Sequence, residues 1–382
     1  MSAVAPRPAG FQPPPYPYDR LNELRRVADA IDGGVVDCSI GTPCDAPSPD
    51  VLRALAVSGT ERSYPPSAGT PALRRAAADW LERRFSVQIE PADIAACVGT
   101  KELVASVAHH LHLRDPSRDT VLYPEISYPT YAMGATLAGL RSVGVPAGDG
   151  AGGGLDLRAI YPDDARRALL LWVNSPSNPT GALSDLDEAA SWGHEHDVLV
   201  FSDECYAEFT WAGPPRSVLE TGSEGVVAVH SLSKRSNLAG ARVGFYAGDP
   251  DIVSYLRDVR QHAGLMVPGP VQAAGAVALA DDASATAQRE RYFQRLGFMG
   301  KVLADAGCPV ALPEGGFYLW VPVPERFDGA WELTAYLAAT AGLLVSPGDL
   351  YGEHGAGFVR LAVVQPMDRL ELAAERLATS AP

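Results

Sequence analysis

Four short apolar runs set the rhythm of the chain: residues 120–123, 168–173, 198–201 and 226–229, dense in Val, Leu and aromatic side chains. Runs of this length without polar alternation read as strands buried on both faces, which is the habit of a parallel sheet. Between and around them the apolar positions change to three- and four-residue spacing. That spacing predicts helices over 19–30, from Pro71 after the loop 63–70, over 99–113, and after a capping box at Ser184-Asp-Leu-Asp187. Strand and helix therefore alternate, and the pattern predicts an α/β fold around a large, mostly parallel sheet.

The outer parts of the chain follow a different pattern. Residues 35–40 alternate as a strand would, and 243–247 read as a further strand whose direction is open. Beyond Asp249 helical spacing runs to about Leu296, including 268–280, and predicts a long helix linking two domains. Strands at 317–321, 343–345 and 358–364, a helix over 331–341 and a closing helix then predict a smaller α+β domain. The expected division is an arm over 1–18, a large domain over 48–290, and a small domain over 19–47 and 291–382.

Composition narrows the function. A formal charge of −15 with a pI near 4.9 excludes a nucleic-acid or anionic-membrane partner, since both require a basic surface. No run reaches membrane-spanning length. The N-terminal segment, with Pro6, Pro8, Pro13, Pro14, Pro15 and Pro17, lacks the apolar core of a signal peptide and reads as an extended arm that Tyr16 and Tyr18 can anchor. Five scattered cysteines without Cys-x-x-Cys spacing predict free thiols and a reducing cytoplasm. Gly148, Gly150 and Gly153 match a dinucleotide fingerprint formally, but no helix start follows them, so they read as a turn. His109 and His112 have helical spacing for a metal pair, although packed or solvated histidines are the commoner outcome.

The candidate chemistry lies just past the strand ends, where an open α/β sheet holds its ligands. After 226–229 come Ser231, Lys234 and Arg242 in one stretch, His230-Ser-Leu-Ser-Lys-Arg-Ser-Asn-Leu-Ala-Gly-Ala-Arg242. Ser231 and Arg242 offer a hydroxyl and a planar cationic fork to a phosphate, and Lys234 offers an amine that condenses with an aldehyde. Pyridoxal phosphate requires that combination. Asn178, in Asn178-Pro-Thr-Gly181, and Asp203, in Asp203-Glu-Cys-Tyr206, follow the preceding two runs and face the same crevice. Gly99-Thr-Lys101 opens a helix whose first amides, at Thr100 and Lys101, make a phosphate seat, and its spacing is not that of a nucleotide loop. Arg360 sits in an apolar strand and needs an anion to justify its burial.

These motifs, together with Ser39-Ile-Gly-Thr-Pro43 and Ser346-Pro-Gly-Asp349, resemble the class I/II aminotransferases of fold type I over nearly the whole chain. Several of the strings are similar to those of the actinobacterial N-succinyldiaminopimelate aminotransferases. The resemblance implies pyridoxal 5'-phosphate as cofactor, with Lys234 as catalyst and tether, Asp203 at the pyridine nitrogen, and Tyr206 and Asn178 at the ring hydroxyl oxygen. It further implies Tyr128 stacked on the ring, Gly41 and Arg360 at the substrate carboxylate, and Tyr64 reaching across a homodimer to the neighbouring cofactor's phosphate. Glutamate is then the amino donor and N-succinyl-2-amino-6-oxopimelate the acceptor, in diaminopimelate and lysine biosynthesis. An aminotransferase for aspartate or aromatic amino acids would keep every catalytic residue and change only the pocket rim, and a carbon–sulfur lyase of the same fold would leave no pyridoxamine form after one turnover. Arg235, Arg260, His262 and the loop 264–270 are candidates for the distal carboxylates of the acceptor.

Overall fold

The structure, a computed structural model, describes residues 10–148 and 154–379. Pro6, Pro8, Gly150 and Gly153 lie outside them.

A seven-stranded sheet organises most of the chain, in the order Ile94–Cys97, Gly244–Gly248, Val226–Ser231, Leu199–Asp203, Ala168–Asn174, Thr120–Pro124, Arg141–Val145. Neighbours run parallel except at Gly244–Gly248, which is antiparallel to both of its neighbours. Alternate residues of one strand serve opposite cores, as the two-residue period requires. Val227 and Val229 pack with Trp172 and Phe201 beneath helices Thr100–Arg114, Thr130–Leu137 and Pro250–His262. Val226 and Ala228 pack with Leu171 and Val173 beneath Pro71–Phe85, Leu186–His196 and Gly269–Ala280. With both faces covered, the central strands carry unbroken apolar runs, which explains why they stand out in the sequence.

Strand register places the chemistry. Asn174 is level with Asp203 and Asp203 with Val229, so three parallel strands end along one rim. The antiparallel strand begins where its neighbours end, with Gly244 opposite both Ser231 and Cys97. Arg242, just before it, and Gly99, just after Ile94–Cys97, therefore join the same rim.

A second core lies around a three-stranded antiparallel sheet, ordered Ser346–Pro347, Phe358–Ala362, Tyr318–Pro322. Helices Asp282–Asp305, Ala330–Ala341 and Met367–Thr379 pack there through Met299, Leu333 and Leu370.

Three expectations change. The strand over 35–40 reduces to Val36–Asp37, paired in parallel with Leu343–Leu344, because the backbone N–H and hydroxyl of Ser39 turn back to Asp37 Oδ1. The helical stretch after Asp249 is three helices, broken by the loop 263–268 and by Asp281, whose carboxylate caps the 24-residue helix Asp282–Asp305 through the Ser284 N–H. The cap expected at Ser184 falls one residue later, on Asp185, which accepts from the Glu188 N–H. Ser184 instead donates its own N–H to Ser175 Oγ. Among the described residues no helix is long and apolar enough to cross a membrane.

Candidate active site

A cavity of about 540 Å³ opens at the rim where the parallel strands end. It gathers eleven of the twelve positions expected at the cofactor and the substrate α-carboxylate, and the exception among these is Tyr64, which is 96% exposed and stands apart from it.

Lys234 projects into the cavity from the four-residue helix Leu232–Arg235, and its ammonium donates to the Gly41 carbonyl. Burial lowers its pKa from 10.5 to about 8; the Arg360 and Arg242 cations push the same way, while Cys205 and Asp203 oppose. A lysine in that state is partly neutral near physiological pH and therefore nucleophilic.

Asp203 closes its strand and is buried. Burial raises its carboxyl pKa, and hydrogen bonds from Cys205 and Tyr131 pull it back. The Tyr131 hydroxyl donates to Oδ2 at 2.8 Å and the Cys205 N–H to Oδ1 at 3.2 Å. A buried carboxylate held in this way favours a cation beside it, such as a protonated ring nitrogen.

An anion cradle lies opposite. Gly99 precedes helix Thr100–Arg114 with φ +73°, and any Cβ on it would run into the Arg242 guanidinium. The missing side chain is what lets Arg242 lie against the helix start. Arg242 is itself left-handed, at φ 58°, and donates to the Ala239 carbonyl at 2.9 Å. Ser231 Oγ accepts from the Ser233 N–H at 3.1 Å, which leaves the hydroxyl proton free to be donated. With the unpaired first amides of the helix, these groups suit a phosphate.

Arg360 is 2% exposed and lies between two rings, its guanidinium carbon 4.3 Å from the Tyr318 centroid and 4.7 Å from that of Tyr351. It donates to Asn178 Oδ1 at 2.7 Å and to the Ser39 carbonyl at 2.6 Å. Its Nε has no hydrogen-bond partner, although an orphaned buried donor is costly. These contacts are all with neutral groups, so the cation lacks an anion. A carboxylate answers that need. Tyr206 reaches the cavity with its hydroxyl 2.8 Å from that of Tyr318. Tyr128 lines the wall, its ring edge-on to Tyr131 at 5.9 Å.

Several lining residues escaped sequence reasoning. Tyr131, Tyr318 and Cys205 were given no role at the site by the sequence, although all three line the cavity. Tyr16 and Tyr18, expected only as anchors of the arm, also line the cavity. The Lys101 ammonium donates to the Tyr16 hydroxyl at 3.0 Å and stands 4.7 Å over its ring.

Arg235 and Arg260, expected as ligands of distal carboxylates, do not line the cavity. Arg235 is buried against Glu208 at 3.1 Å on the far side of the Lys234 helix. Arg260 is 1% exposed and forks onto Glu102 at 2.8 and 2.6 Å. Both cations are already neutralised. His262 and the loop 264–270 stand outside the cavity as well. His112 Nδ1 lies 2.9 Å from the Arg118 carbonyl, and His110 is buried. Among the described residues no group of three or more His, Cys, Asp or Glu could hold a metal.

A reactive amine, a buried carboxylate and an anion cradle on one cavity match the aldehyde, ring nitrogen and phosphate of the expected cofactor. Arg360 remains for a substrate.

Comparison with known proteins agrees. A family model for aminotransferases of class I and II matches residues 34–377. A 4-dedimethylamino-4-oxo-anhydrotetracycline transaminase of Streptomyces rimosus is 41% identical over 373 residues, covering 95% of this chain and 99% of the relative. An LL-diaminopimelate aminotransferase of Aquifex aeolicus is 34% identical over 379 residues, covering 95% and 96%. Among solved structures, a probable N-succinyldiaminopimelate aminotransferase from Thermus thermophilus matches with a TM-score of 0.84 at 31% identity, covering 95% of this chain and 99% of that one.

Proposed function

The chain belongs to the class I and II aminotransferase family, fold type I enzymes that work with pyridoxal 5'-phosphate, and on that premise we propose that it moves an amino group between glutamate or 2-oxoglutarate and N-succinyl-2-amino-6-oxopimelate, on the route to diaminopimelate and lysine. The observation that carries the reading is the meeting of Lys234, Asp203 and Arg360 on one cavity. The acceptor rests on the similar strings, on the Thermus structure, and on relatives whose names specify diaminopimelate.

When bound, the cofactor supplies an electron-withdrawing ring that makes the α C–H of an amino acid acidic. Arg242, the Ser231 hydroxyl and the amides of Thr100 and Lys101 hold its phosphate. Asp203, oriented by Tyr131, keeps a proton on the ring nitrogen, and Tyr128 covers the ring face. The hydroxyl of Tyr206 and the amide of Asn178 donate to the ring oxygen. Arg360, steadied by Asn178 and by the Ser39 carbonyl, grips the substrate α-carboxylate, and Gly41 lets backbone approach it. Lys234 Nζ would take the proton from the substrate α-carbon as base and, as acid, deliver it to the carbon that came from the cofactor's aldehyde.

In this reading Tyr64, exposed here, completes the site of a second copy, so the working form is a homodimer. The large and small domains divide near residues 48 and 291. Free thiols at all five cysteines fit a reducing cytoplasm.

The test begins with glutamate alone. One equivalent of 2-oxoglutarate per subunit, with no further turnover until an oxo acid is added, marks the half-reaction of an aminotransferase. A carbon–sulfur lyase turns over its substrate without an acceptor. Oxo acids then rank the acceptor: the succinylated pimelate exceeds oxaloacetate and phenylpyruvate in kcat/KM by about 10-fold or more. The 41% identical Streptomyces relative, named for a tetracycline precursor, makes a bulky cyclic ketone the competing acceptor, and a higher value for it would overturn the substrate while leaving the reaction class.

A further inference from the structure

We propose that Tyr318 is a positioning residue: its hydroxyl donates to Tyr206 and fixes the phenol that serves the cofactor's ring oxygen, while its ring supports the carboxylate arginine Arg360. The inference rests on the roles given above to Tyr206 and Arg360 and adds the side chain that joins them.

Tyr318 opens the strand Tyr318–Pro322 and is 1% exposed. Both tyrosines belong to the second core, which Tyr206 reaches from just past the Asp203 strand of the large sheet. Their hydroxyls meet at 2.8 Å, with ring centroids 5.4 Å apart and planes at 70°. The other side of Tyr318 is occupied by Arg360, 4.3 Å from the ring centroid. Its hydroxyl also lies against Gly41, where a Cβ would collide with it, and the Gly41 carbonyl receives the Lys234 ammonium. One phenol therefore touches the arginine, the tyrosine and the glycine that surround the reacting lysine.

The direction of the hydroxyl chain follows from counting donors. A phenol has one proton to give. An ionised ring oxygen on the cofactor only accepts, so Tyr206 gives its proton there and must accept from Tyr318. Burial pushes the Tyr318 phenol up to about 12, so it keeps its proton at working pH. A donor bonded to a donor strengthens it, because each hydrogen bond polarises the next. Tyr318 thereby favours the ionised ring oxygen, and Arg360 stacked on its ring brings the carboxylate site to the same group.

The test compares Tyr318→Phe, Tyr206→Phe, the double variant and Tyr318→Leu. The readouts are the Kd of the apo-protein for pyridoxal phosphate, the pH at which the bound cofactor's absorbance changes, melting temperature, kcat, and KM for glutamate. Tyr318→Phe is expected to weaken cofactor binding about 3- to 10-fold and to move the absorbance change upward by about half a pH unit to one unit. It leaves KM within about twofold, since the ring under Arg360 remains. In the Tyr206→Phe background the same substitution adds nothing. Tyr318→Leu, which removes the ring, also raises KM about 10-fold. An unmoved absorbance pH in Tyr318→Phe, with or without a lower melting temperature, assigns the residue to packing and overturns the proposal. Additive effects in the double variant overturn it too. A wild-type protein that binds no pyridoxal phosphate sinks the proposed function, and this inference with it.

Discussion

Replacing Gly99 by alanine tests the anion cradle at its tightest point. Two costs can be separated. Gly99 has φ +73° and ψ 148°, a backbone region that is nearly glycine-only, so a Cβ strains the fold by about 1–3 kcal/mol. The same Cβ meets the Arg242 guanidinium, which must move off the helix start. Displacing a charged donor from the phosphate forfeits about 1.5–3 kcal/mol, a rise in cofactor Kd of about 10- to 150-fold. Thermal or urea unfolding of the apo-protein reads the first cost, and titration of the apo-protein with pyridoxal phosphate reads the second. In an Arg242→Gln background Gly99→Ala should keep its stability cost and lose its effect on binding, because the group it displaces is gone. A folded Gly99→Ala protein with a Kd within about twofold of wild type refutes the reasoning, since Arg242 would then not be the phosphate's partner.

Further predictions concern groups around this cradle. Because burial lowers Lys234 to about 8, its neutral, reactive fraction grows as pH rises through that value. Cofactor uptake by the apo-protein should therefore accelerate up to about pH 8 and level above it, whereas acceleration continuing to about pH 10 would mark an ordinary lysine. Asp203→Asn keeps the shape and removes the charge at the ring nitrogen; kcat falls about 100- to 1000-fold with the cofactor still bound, and a loss under about 10-fold contradicts the assignment. Arg235→Met and Arg260→Met each remove a buried arginine from its carboxylate, Glu208 keeping Arg84 and Trp80 and Glu102 being part-exposed, and cost about 1–3 kcal/mol in urea unfolding, with KM for the acceptor unchanged. A selective KM rise for dicarboxylic acceptors would restore them to the substrate site.

The sheet was legible because it is covered on both faces, and the resulting apolar runs leave Asn178, Asp203 and Ser231 conspicuous at their ends. Arg360 was legible as a charge inside an apolar strand. The partners of these residues were not, because they come from distant segments: Tyr131 meets Asp203 across 72 residues and Tyr318 meets Tyr206 across 112. Arg235 shows the converse limit. One position after Lys234 on a helix is a turn of about 100°, enough to carry the neighbour from the cavity into the core against Glu208. Arg260 looked free because its partner Glu102 lies 158 residues earlier. Ser39 ended the strand expected over 35–40 through a bond to Asp37 that competes with sheet pairing, a local preference that apolar alternation does not register.

The central claim is that one amine carries the cofactor, and the chain has only three lysines with which to test it: Lys101, Lys234 and Lys301. Borohydride reduction of the cofactor-loaded protein, followed by proteolysis and mass spectrometry, fixes the attachment in place. The account predicts the added mass on the peptide containing Lys234 alone, at one equivalent per subunit. The same mass on Lys101, which lines the same cavity, or on Lys301, or on no lysine, would contradict it.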